Sequence, residues 1–117
     1  MARTALIVDD HPSFRASARR MLEAGGYEVV GEAADGTSAI AAARDLHPDV
    51  VLLDVRLPDL DGFRVAERLA ANGSSPAIVL TSSRDRSDFG DEIDACPVQG
   101  FIPKSELSAQ AIALLIR

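Results

Sequence analysis

The sequence predicts an α/β fold, a single domain built on a five-stranded parallel sheet with helices on both faces. Two observations carry this. Short apolar runs, several rich in Val and Ile, alternate with helix-period segments from one end to the other, and no linker, repeat or low-complexity tract interrupts them. Such runs suit strands buried on both faces, which is where parallel strands lie.

The first run, Ala5–Val8, lies within the apolar stretch Thr4–Val8 and stops at Asp9 and Asp10. Pro12 suits the first turn of a helix, along which Phe14, Ala18, Met21 and Leu22 recur at helical spacing until Gly25-Gly26. Glu28–Ala33 reads as the second strand. After a turn at Asp35-Gly36, Thr37 or Ser38 is expected to cap a helix over Ala39–Leu46, which His47-Pro48 ends. Val50–Leu53 is the clearest buried strand and ends in Asp54. The loop Val55–Asp61 contains Pro58 and leads through Gly62 into a helix over Phe63–Ala71. A turn follows at Asn72–Ser75, then a fourth strand, Ala77–Leu80, ending in Thr81. Ser87–Ala95 is weakly helical, Val98–Ile102 is the last strand and Glu106–Ile116 the last helix.

Composition limits the function. With 117 residues there is room for one domain, here 1–117, and 47% hydrophobic residues suffice for a core without metals or disulfides. One cysteine, Cys96, excludes an intrachain disulfide and suits a reducing compartment. No stretch resembles a signal peptide or a membrane span, so a cytoplasmic location and no membrane contact are expected. A net charge of -6 argues against direct nucleic-acid binding through this chain, and the basic doublet Arg19-Arg20 reads as a solvated helix face.

In doubly wound sheets, ligands bind beyond the carboxyl ends of the strands, where strand order reverses. The residues found there are Asp9-Asp10, Asp54, Thr81-Ser82 and Lys104. Three carboxylates within a few ångströms repel unless a cation or protons neutralise them. Hard oxygen donors suit Mg²⁺, which shares phosphate oxygens readily. A hydroxyl at Thr81 and an ammonium at Lys104 would balance an incoming phosphoryl group, and Asp54 would be its nucleophile. Each residue alone is an ordinary turn or surface residue; the coincidence of four strand ends points to chemistry.

These segments resemble the receiver domains of two-component response regulators, and the resemblance spans essentially the whole chain. It rests on Val8-Asp9-Asp10-His11-Pro12, Leu53-Asp54-Val55-Arg56-Leu57-Pro58-Asp59-Leu60-Asp61-Gly62, Val79-Leu80-Thr81-Ser82 and Gly100-Phe101-Ile102-Pro103-Lys104. The first and last look most like the NarL/FixJ branch. The resemblance implies a flavodoxin-like (βα)5 fold with strand order 2-1-3-4-5. It also implies a signalling switch rather than an enzyme, limited to self-catalysed transfer onto Asp54 and slow autodephosphorylation. Asp54 would be phosphorylated by a sensor histidine kinase or a phosphotransfer protein. Asp10 would hold Mg²⁺ directly and Asp9 through water, with Asp54 and the backbone carbonyl of Arg56. Thr81 and Lys104 would bind the phosphoryl oxygens, and Thr81 with Phe101 would couple the site to the face of helix four, strand five and helix five. Arg56 and Ser83 match positions that tune phosphate lifetime, and Phe14 and Arg15 lie where a kinase docks. Pairing of two copies on phosphorylation is a further implication.

Three features depart from the family pattern. Ser105 follows Lys104 where many receivers have a cis proline, and Pro103 precedes it. The fourth helical segment, Arg84–Pro97, holds five acids, a proline and Gly90, whose helical cost is roughly 1 kcal/mol relative to Ala. A short or mobile helix is expected there. Receivers of this branch usually precede a helix-turn-helix output domain, and the sequence stops at Arg117 where the last helix should end, as either a stand-alone receiver or a piece of a longer regulator would.

Other chemistries fit less well. A hydrolase using Asp-x-Asp-x-Thr lacks its second Asp in Asp54-Val55-Arg56, and an FMN phosphate would be repelled by Asp9-Asp10. A receiver acting only as an interaction module would have no need of the complete set of acids. His11, beside the acidic pair, reads as the residue that leads into the first helix rather than as a metal ligand, and His47 as a helix-end residue. Asp59 and Asp61, though able to bind cations, read as shapers of their own loop and of the helix start after Gly62.

Overall fold

The computed structural model describes residues 2–71 and 76–116, so the turn expected over Asn72–Ser75 lies outside the described residues. Five strands, β1 (Thr4–Val8), β2 (Glu28–Ala33), β3 (Val50–Asp54), β4 (Ala77–Ser82) and β5 (Gly100–Pro103), pair in parallel in the order β2-β1-β3-β4-β5. Among the described residues four α-helices accompany them: α1 (Pro12–Ala24), α2 (Gly36–Leu46), α3 (Gly62–Ala71) and α4 (Ala109–Ile116). The fold class and strand order are those expected, with four helices instead of five.

Strand alternation divides the core in two. Leu6, Val8, Val51, Leu53, Ile78 and Leu80 face a cluster completed by α2 and α3 residues such as Ala39, Val65 and Leu69. Ala5, Ile7, Val50, Leu52 and Val79 face the other side, with Ala18 and Leu22 of α1 and Ile112 of α4. Strand order reverses between β1 and β3, whose register sets Val8 opposite Leu53. Asp9 and Asp54 are the next residues along each strand, and both end at that reversal.

Capping differs from the sequence expectation at α2. The helix begins at Gly36 and its cap is Asp35, whose carboxylate accepts from the Ser38 N–H at 2.8 Å and from its hydroxyl. Asp59, from the loop after β3, provides a second cap. It accepts from the Gly36 N–H at 2.7 Å, the Thr37 N–H at 3.0 Å and the Thr37 hydroxyl at 2.7 Å. Asp61 does start α3, accepting from the Arg64 N–H at 2.9 Å.

The segment expected to hold helix four forms no α-helix. Two 3₁₀ turns, Arg86–Asp88 and Gly90–Glu92, stand in its place. Asp85 and Asp88 close a capping box around the first turn, and Gly90 then takes φ +58°, left-handed backbone that breaks a right-handed helix. The last helix also starts late: Lys104–Glu106 is a 3₁₀ turn, and α4 begins only at Ala109. No peptide bond among the described residues is cis, so Pro103 is trans. Single 3₁₀ turns cooperate less than a packed helix. Amides over Ser87–Ala95 are therefore expected to exchange with deuterium faster than those over Phe63–Ala71; equal protection would contradict this.

Candidate functional site

The site lies at the carboxyl ends of β1, β3, β4 and β5. Asp9 is fully buried, its backbone N–H tied to the Ala33 carbonyl at 3.0 Å and its carbonyl gripped by the Arg15 guanidinium at 2.6 Å. One carboxylate oxygen, Oδ1, accepts from the His11 N–H at 2.8 Å. The other, Oδ2, is 2.6 Å from the Lys104 ammonium, an ion pair, and has no hydrogen-bond partner besides. Asp54, 4% exposed, accepts from the Arg56 N–H at 3.2 Å and lies 3.5 Å from the same ammonium. Lys104 also sits 4.2 Å from the centre of the Phe14 ring. One lysine thus serves two buried acids.

Donor atoms of Asp9, Asp10, His11 and Asp54 all fall within 4.8 Å of one another. Asp10 is exposed beside this group, and the His11 Nδ1 is 3.0 Å from an oxygen of Asp9 and 3.0 Å from one of Asp10. The structure therefore brings together three of the acids expected at the strand ends.

Thr81 pairs with Asp54 across β3 and β4 and is fully buried. Its hydroxyl donates to the Ile102 carbonyl at 2.7 Å, toward β5. Phe101 lies partly buried in β5, its ring 5.6 Å from Phe89, which in turn is 5.9 Å from Phe63. Phe89 comes from the 3₁₀ segment, so the aromatic contact of β5 runs through the region where a helix was expected. Arg56 is exposed and pairs with Asp61 across the loop; Ser83 is exposed. Cys96 is half-buried, its thiol 3.5 Å from the Phe63 carbonyl and pushed up by burial.

The two buried acids respond oppositely to their surroundings. Burial raises Asp54 to about 6, against the downward pull of Lys104 and the Arg56 N–H, and the Asp9 charge adds to the rise. Burial acts the same way on Asp9, but its contacts with Lys104 and the His11 N–H outweigh it and hold that carboxyl below its ordinary value. A raised folded-state value means that native Asp54 binds its proton more tightly than unfolded Asp54. Native stability therefore rises as pH falls through about 6 towards 4, and ionised Asp54 costs stability above it. Asp54→Asn is expected to stabilise the cation-free protein by roughly 2 kcal/mol at pH 7.5, discounting for solvent screening, with the gain vanishing near pH 4. Urea unfolding at the two pH values measures this; a variant no more stable at pH 7.5 contradicts it.

Three site contacts escaped the sequence reading. Arg15 was expected only as a docking residue, yet it holds the Asp9 carbonyl and pairs with Glu32 at 3.0 Å. Its place one turn after His11 was the available signal. His11 turns to the acids although it precedes the helix. Asp59 reaches α2 over 23 residues of sequence, with no local signal at all.

The family model for the response regulator receiver domain matches residues 5–116. The DNA-binding transcriptional activator EvgA of Escherichia coli is 32% identical over 111 residues, 95% of this chain and 54% of that protein. A two-component response regulator of the LuxR family from Aurantimonas sp. superposes with a TM-score of 0.87 at 30% identity, covering 98% of this chain and 86% of that one. The signal receiver domain of the response regulator NarL from Mycobacterium tuberculosis gives 0.86 at 30% identity, covering 97% and 96%. The chain spans about half the length of the curated relatives it matches. No helix among the described residues is long and apolar enough to cross a membrane. A profile match over nearly every residue, on a sheet whose strand order places the acids together, establishes that this chain belongs to the receiver domains of two-component response regulators.

Proposed function

We propose that residues 1–117 form one receiver domain that works as a phosphorylation switch, with Asp54 as acceptor. The observation that carries this reading is the pairing of buried Asp54 with Lys104 inside an acid cluster left short of positive charge. Two buried carboxylates share one ammonium with Asp10 beside them, and a buried Asp9 oxygen has no hydrogen bond, so the donor set and the charge both fit Mg²⁺. Asp9, Asp10, Asp54 and the Arg56 backbone carbonyl would hold it. When bound, Mg²⁺ neutralises the acids and shares a phosphoryl oxygen.

The chain's own residues do the rest. Asp54, largely ionised at neutral pH, attacks phosphorus as the bond to the donor histidine breaks. A sensor histidine kinase or phosphotransfer protein is that donor. Lys104 balances charge on the phosphoryl oxygens. Thr81 gives up the Ile102 carbonyl to donate to them, and β5 with Phe101 and Phe89 carries the change to the face beside α4. The same site slowly hydrolyses its own aspartyl phosphate. In a longer cytoplasmic regulator, a DNA-binding output domain, such as EvgA's description suggests, would read this state. The acidic receiver itself would contact no nucleic acid or membrane, and phosphorylation would promote pairing of two copies.

Acetyl phosphate with Mg²⁺, followed by intact mass measurement, tests the reading. The wild type is expected to gain one phosphoryl group and Asp54→Asn none. An unlabelled wild type, where an authentic receiver is labelled, overturns the switch; a labelled Asp54→Asn moves the acceptor elsewhere.

A further inference from the structure

His11 occupies the N-cap position of α1 but makes no side-chain cap bond. Its ring is 66% exposed, so packing does not hold it. It lies instead against the acids, Nδ1 being 3.0 Å from Asp9 Oδ1 and 3.0 Å from Asp10 Oδ1. Nδ1 therefore stands between two carboxylates, placed to donate to them, beside a third at Asp54 and beside the buried Asp9 oxygen that lacks a hydrogen bond. The four donors, within 4.8 Å of one another, need only small rotations to surround one ion with bonds of about 2.0–2.2 Å.

We propose that His11 Nδ1 is a further side-chain donor to the cation held by Asp9, Asp10 and Asp54, and that the site favours a borderline divalent ion such as Co²⁺ over Mg²⁺. This rests on the reading that the acid cluster holds a cation. Oxygen donors alone suit Mg²⁺, whereas an imidazole nitrogen favours first-row transition ions, increasingly from Mn²⁺ to Co²⁺. Binding takes the neutral ring with its one proton on Nε2, so the ion replaces the proton that Nδ1 shares with the two carboxylates.

The test is metal binding by the whole chain and by His11→Asn. Asn is a favoured N-cap residue, so the helix start is retained. Calorimetric titration with CoCl₂ is expected to show affinity reduced about tenfold or more in the variant, and titration with MgCl₂ a change of less than about threefold. Pulsed EPR of the Mn²⁺-loaded wild type is expected to show coupling to a directly bound ¹⁴N, absent from His11→Asn. Equal losses for the two ions, or no ¹⁴N coupling in wild type, overturn the role of His11. If Mg²⁺ binding and acetyl phosphate labelling persist in that case, the phosphorylation reading stands. If the wild type binds none of the three ions, the cation site itself falls, and this inference with it.

Discussion

Replacing Lys104 with Ala is expected to destabilise the cation-free protein by roughly 3–5 kcal/mol at pH 7.5. The ammonium is the positive charge closest to two buried carboxylates, 2.6 Å from Asp9 and 3.5 Å from Asp54. Without it, Asp9 keeps its N–H partner from His11 but loses its charge partner, in a place water does not reach. The lost packing of the lysine over the Phe14 ring adds to the deficit. Two conditions should restore stability, each by removing uncompensated charge. MgCl₂ stabilises the native state by mass action if the acids bind the ion. Lower pH does so by protonation: Lys104 pulls Asp54 down from where burial sets it, so its removal lets Asp54 protonate more readily. The native variant then gains stability as pH falls through about 6. Urea unfolding at pH 7.5 and pH 5, with and without MgCl₂, measures all three effects. A loss below about 1 kcal/mol would mean that solvent already screens the pair.

Gly62→Ala is expected to damage both stability and the site, costing about 3 kcal/mol or more and sharply reducing labelling of Asp54. A Cβ on Gly62 would lie 2.5 Å from the Asp54 carbonyl oxygen and 2.8 Å from the Val55 Cα. Both are backbone atoms, so no side-chain rotation relieves the collision. The Gly62 N–H donates to the Val55 carbonyl at 2.6 Å, and the Arg56–Asp61 pairing closes the loop between them. Relief therefore requires moving the backbone that carries the acceptor. Thermal unfolding and acetyl phosphate labelling report the two parts separately. A variant with wild-type stability and labelling would show that the loop moves freely away from α3. The demand at this glycine is for space, a property absent from its local sequence, which marked it only as the lead into a helix.

Strand ends were legible in advance because their cause is local. Thr4–Val8 and Val50–Leu53 are apolar runs that stop at aspartates, and a carboxylate ends the apolar face that a doubly covered strand needs, Asp54 being the last residue of β3. The weakness of Arg84–Pro97 was legible for the same reason, through Gly90 and the acids. The expectation still kept a short helix there, and the left-handed Gly90 shows why none forms. At α2 neither Thr37 nor Ser38 is the cap because the helix starts earlier: Asp35 accepts from the Ser38 N–H, and Asp59 from the Gly36 and Thr37 N–H groups, which places both expected caps inside the first turn.

The sequence by itself determined which residues can stand at the strand ends, since alternation of apolar runs and helical periods encodes the elements and their limits. Parallel pairing and short right-handed crossovers then leave few places for those ends to meet. Only the tertiary structure decided how the meeting residues share their charge. Lys104 divides itself between Asp9 and Asp54, Arg15 holds the Asp9 carbonyl, Asp59 fastens the β3–α3 loop to α2, and His11 faces the acids. Apart from the local turn at His11, these contacts join segments distant in sequence or successive layers of the fold. Burial strengthens them as water is excluded, and no local propensity records a dielectric that exists only once the sheet is covered.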